Sequence, residues 1–104
     1  MKLLKLEVEM SATTELKRAN DKFDSKFHST HEGYSIIKEE VEEAQEELTG
    51  INVCLDELWQ DARSNNISYT VMDAINIKKY AINLSAESIQ IAAMCQKFID
   101  SFKK

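Results

Sequence analysis

Two places in this 104-residue chain carry carboxylates that could do chemistry. The first is the run Ile36-Ile37-Lys38-Glu39-Glu40-Val41-Glu42-Glu43-Ala44-Gln45-Glu46-Glu47-Leu48. At about 100° per residue, Ile37, Val41, Ala44 and Leu48 form one narrow apolar stripe. Glu40, Glu43 and Glu47 line one flank of that stripe, with Ile36 among them, while Glu39, Glu42 and Glu46 lie further round. A purely solvated acidic face has no use for Ile36, so the Glu40/Glu43 flank is expected to face protein or ligand. Carboxylates three and four apart repel mildly. A divalent cation would remove that repulsion, because hard cations prefer oxygen ligands. The competing account is a charged outer face.

The second place is Glu87. It projects into a broad apolar face made by Tyr80, Leu84, Ile91, Met94, Cys95, Phe98 and Phe102, edged by Asn83, Gln90 and Lys97. An ionised carboxylate facing a core is unfavourable unless it is paired or bound to metal. Lys79 or an arginine is the structural alternative to a cation. Glu57 and Asp61 are a further acidic pair one turn apart, and their angle away from the Ile51/Leu55/Leu58 stripe predicts solvent. His28 and His31 flank the entry to the acidic helix, where His31 could approach a phosphate or simply cap the helix. Trp59 reads as a core or interface anchor. The chain has no Gly-rich phosphate loop, no Ser/His/Asp set and no Cys/His pair for nucleophilic catalysis.

The elements that must position these groups are helical. Ser29-Thr30-His31-Glu32 is a capping-box pattern that starts the acidic helix near Thr30. Gly50 is expected to end it or mark a bend. Ile51 to Arg63 then carries the stripe Ile51, Leu55, Leu58 and Ala62, and Ser64-Asn65-Asn66 is a turn. Tyr69 to Phe102 has no breaker and could form one helix of roughly 50 Å, unless Ser85 caps a second segment. An earlier helix is expected from about Ala12 to Phe23 or Phe27, with those two rings sharing its buried face. Residues 2–10 alternate apolar and charged, which is strand periodicity. A lone strand has no partner within the chain, so they form either an arm that pairs across a dimer or a helical extension.

Length predicts a single domain. With no Pro, two Gly and 43% hydrophobic residues, the expected fold is all-α: a bundle of about four helices with a long C-terminal helix. That helix is apolar on two sides, Ile82, Ile89 and Ala93 lying opposite Glu87, so a homodimer or homotetramer is expected. A net charge of −5 argues against nucleic-acid polymers as partners. Cys54 and Cys95 fall on apolar faces and read as buried free thiols suited to a reducing compartment. No segment approaches membrane-spanning length, and Lys5, Glu7 and Glu9 interrupt any signal-peptide core. A cytoplasmic protein is expected.

Glu39-Glu40-Val41-Glu42-Glu43 also fits the pattern Glu-Glu-x-x-Glu, followed some forty residues later by Ala86-Glu87-Ser88-Ile89-Gln90-Ile91-Ala92-Ala93-Met94. With Lys22-Phe23 and His28-Ser29-Thr30-His31-Glu32-Gly33-Tyr34 ahead of them, these motifs resemble the small MazG-like proteins of the all-α nucleoside triphosphate pyrophosphatase superfamily, particularly those of phages and prophages. The resemblance covers about residues 21–100. It implies a magnesium-dependent enzyme (manganese being an alternative) that splits a nucleoside triphosphate between its α- and β-phosphates. Carried over, Glu40, Glu43 and Glu87 become metal ligands and Glu39 a ligand or water-orienting base. Asn83, Gln90, Lys79 and His31 are the expected substrate contacts. Gln90 stands where the family has Asp. Either three carboxylates suffice, or Asp61, Asp73 or a partner subunit supplies another, or nucleotides are bound without cleavage. A nucleotide sponge or a helical interaction module is therefore the alternative function.

Overall fold

The computed structural model describes residues 1–103 and contains three helices, α1 (Lys2–Lys22), α2 (Thr30–Arg63) and α3 (Ile67–Phe102). The all-α class is as expected, but the helices number three among the described residues, not about four. The count falls because α2 runs without interruption through Gly50. Gly50 has no left-handed φ; a Cβ there would lie 2.6–2.8 Å from three ring atoms of Tyr80. The glycine thus admits a ring against the backbone rather than ending the helix. Likewise α3 is one helix of 36 residues, about 54 Å long at 1.5 Å per residue. Within it the Ser85 hydroxyl donates back to the Ala81 carbonyl and caps nothing.

Helix α1 starts ten residues earlier than the apolar pattern predicts. Residues 2–10 are helical, so of the two expected forms the helical extension is realised. A helix satisfies its own N–H and C=O groups, which a solitary strand cannot. It ends at Phe23, which takes an extended conformation and donates its N–H to the Ala19 carbonyl. Phe23 and Phe27 do not share a face: Phe23 is exposed and Phe27 is buried beyond the helix end.

The chain forms two compact units. The first comprises, among the described residues, 1–42 and 87–103. Its core is Phe27, Ala93 and Met94, with Leu16, Ala19, Ile36, Ile37 and Phe98 packed against them. Phe27 is fixed by its N–H to the Ser101 hydroxyl at 2.9 Å and by the Lys97 ammonium 4.8 Å over its ring. The predicted cap is present: the Ser29 hydroxyl accepts from the Glu32 N–H, and Glu32 accepts from the His28 N–H.

The second unit, residues 43–86, is a helical hairpin. Asn65 adopts φ 56°, while Asn66 N–H reaches the Asp61 carbonyl and Asn65 N–H that of Ala62. These are the two bonds of a Schellman ending with asparagine in the glycine-like place. Ala44, Cys54 and Asp73 are its buried residues. Both cysteines are free, Cys54 buried and Cys95 half-buried. None of the described helices is long and apolar enough to cross a membrane.

Candidate metal centre

Glu40 and Glu43 project from adjacent turns of α2, an arrangement the helix alone dictates. Glu87 comes from α3, in the same compact unit as Glu40, and Glu43 is carried one turn further along the unbroken α2. One ligand oxygen from each of the three lies within 4.8 Å of the others. All three residues are half-buried, and Oε2 of Glu87 is shut off from solvent. Each of the three also has polar or electrostatic partners.

The donor set fits a hard cation. Oxygens all within 4.8 Å of one another could reach one hard cation, whose oxygen ligands stand at about 2.0–2.6 Å from it. Three carboxylates giving one oxygen each would fill half of an octahedron and leave positions for water or phosphate oxygens. Without a cation, like charges so close raise one another's energy.

The other expected site residues are spread more widely. Glu39, Lys79 and His31 are exposed. Asn83 donates to Glu47 at 3.4 Å within the second unit. Gln90 is partly buried, and its amide nitrogen donates to the Glu15 carboxylate at 2.6 Å. Gln90 is thus held by an acid from α1. The Glu15 carboxylate also lies 3.4 Å from Arg18. Its role was not visible in the sequence, where Glu15 lies 75 residues from Gln90.

Asp61 and Asp73, considered above as sources of a further carboxylate, are held against each other in the second unit. Asp73 is 6% exposed. Its hydrogen bond to the Asp61 carboxyl, then burial, then the charges of Asp61 and Glu57, push its pKa up to about 6. A bond between two carboxyl groups needs a proton on one of them. Glu57 is exposed as expected, whereas Asp61 is half-buried; the correction follows from Asp73 facing it across the hairpin. Burial, followed by the charges of Glu57 and Asp73, raises the Cys54 thiol. Extending the Tyr80-to-Glu87 face one heptad toward the N-terminus lands on Asp73, which is the signal that would have found it.

Comparison with protein families, curated proteins and solved structures finds no match to this chain.

Proposed function

We propose that this protein is a magnesium-dependent nucleotide pyrophosphohydrolase that releases a nucleoside monophosphate and pyrophosphate, working as a homodimer or homotetramer. The observation that carries the proposal is the half-buried trio Glu40, Glu43 and Glu87, with ligand oxygens within 4.8 Å of one another. The trio is drawn from the same two motifs, in the same order, that resemble the MazG-like proteins. Magnesium bound there would neutralise charge on the triphosphate and on the transition state.

In this mechanism Glu40, Glu43 and Glu87 hold the cation. Glu39, exposed beside them, orients the attacking water and takes its proton. Lys79, Asn83 and His31 contact the nucleotide. Gln90 cannot take a proton, so its part is to position groups, with its amide oriented by Glu15.

The Gln90–Glu15 bond also favours a second account. Where an acid would assist hydrolysis there is a neutral amide, one of whose two N–H donors is already given to Glu15. That arrangement suits a nucleotide-binding sponge, or a helical interaction protein, as well as an enzyme.

One experiment separates them. The chain is incubated with a panel of ribo- and deoxynucleoside triphosphates and Mg²⁺, and pyrophosphate and monophosphate are measured. Stoichiometric release of both, lost on chelation, supports the enzyme. Binding without release supports the sponge. No binding and no release overturns both nucleotide readings.

A further inference from the structure

Helix α2 carries a heptad pattern that the chain itself satisfies on one row only. Ile37, Ala44, Ile51 and Leu58, seven apart, are buried or half-buried. Tyr34, Val41, Leu48 and Leu55, also seven apart, form the companion row. They are exposed, Leu48 at 47% and Leu55 at 52%. A helical seam needs both rows covered to bury its knobs. Trp59 stands beside the exposed row and is 61% exposed.

The exposed row is free of acid on a helix otherwise full of it. All ten Asp and Glu side chains of α2 fall on neither of these rows, nor on the column Lys38, Gln45, Asn52, Trp59 that borders the exposed one. Two copies of a chain with net charge −5 repel, except where surfaces without carboxylates meet. An isologous contact sets the same row against itself, and here that contact opposes no like charges. An anionic lipid surface does not suit it, since such helices need a basic polar face.

We infer that the Leu48/Leu55/Trp59 face of α2 is a homodimer interface, occupied by the same face of a second copy. This deepens the oligomeric part of the function proposed above and does not depend on nucleotide hydrolysis. A dimer without activity, or an active monomer, tells the two apart.

The test measures mass by light scattering at micromolar concentration, together with helicity, on the full chain. The wild type is expected at two chains, and the double variant Leu48→Gln/Leu55→Gln at one chain with helicity kept. Leu3→Gln/Leu6→Gln, changing exposed residues of α1, is expected to remain at two. Should the Leu variant lose helicity, Trp59, the single tryptophan, reports on the unmodified chain. Its emission should be that of a buried indole at high concentration and shift red on dilution. A wild type of one chain, a folded Leu variant that keeps its wild-type mass, or exposed-indole emission at every concentration overturns the assignment.

Discussion

Replacing Gly50 by alanine sets two opposing effects against each other. Alanine favours the helix by about 0.8–1.0 kcal/mol over glycine at an interior position. The new methyl, however, would sit 2.6, 2.7 and 2.8 Å from three atoms of the Tyr80 ring. Ordinary van der Waals contact begins near 3.4 Å, so ring or helix must retreat by about 0.6–0.8 Å. The atoms met are the body of a rigid ring, not the tip of a flexible chain, and overpacking of this kind destabilises by about 1–3 kcal/mol. The clash should win, leaving a net loss of about 1 kcal/mol, or about 4–8 °C in melting temperature for a chain of this size. Thermal unfolding followed by circular dichroism at fixed protein concentration measures it. The cycle with Tyr80→Leu gives a sharper check, because Gly50→Ala in that background should be neutral or stabilising, with a coupling above about 1 kcal/mol. A Gly50→Ala protein that melts several degrees higher than the wild type, with no coupling to Tyr80, would refute the close-approach account.

The other expectations concern the carboxylates. Glu87→Gln should weaken magnesium binding by at least the roughly 10–100-fold typical of outer-shell changes, and remove turnover while leaving the apo chain as stable or more so, read by thermal shift with and without metal. In the wild type, metal at ten times its Kd should stabilise by about 1.4 kcal/mol, about 6–11 °C; no shift at millimolar magnesium or manganese removes the metal centre. Gln90→Asp should leave an active enzyme working or faster, measured as pyrophosphate release; complete loss of activity would show that the amide is required. Asp73 gives a pH signature. Its pKa of about 6 in the folded chain, against 3.8 for a free aspartate, means that the native state holds the proton more tightly. Its contribution to stability is therefore fully present below about pH 4 and lost as pH rises through about 6. Asp73→Asn keeps a donor toward Asp61 and removes the titration, so it should stabilise relative to wild type at pH 7–8, with the gain shrinking below pH 5. Melting curves across pH 4–8 whose wild-type and variant difference does not change would sink this assignment.

What the sequence determined by itself is what acts over one or two turns. The absence of proline, the Ser29/Glu32 cap and the asparagine turn at 64–66 give helical segments with two of their boundaries. The spacing of Glu40 and Glu43 puts them side by side on any helix. Tertiary structure decided everything that depends on which side chains interlock across helices. Gly50 could be read as a stop until Tyr80 was seen to occupy the space that its missing Cβ leaves. Residues 2–10 have the alternation of a strand, and their helical state reflects the lack of any ladder to join. Gln90 meets Glu15 across 75 residues of sequence, and Asp73 meets Asp61 across the turn. Glu87 could be marked as a carboxylate on an apolar face, but its approach to Glu40 and Glu43 depends on the register of α3 on α2. Helical periodicity says which face a residue lies on. It does not say how far one helix has slid along another, and a slide of a single turn, about 5.4 Å, exceeds the 4.8 Å that makes these three carboxylates one site.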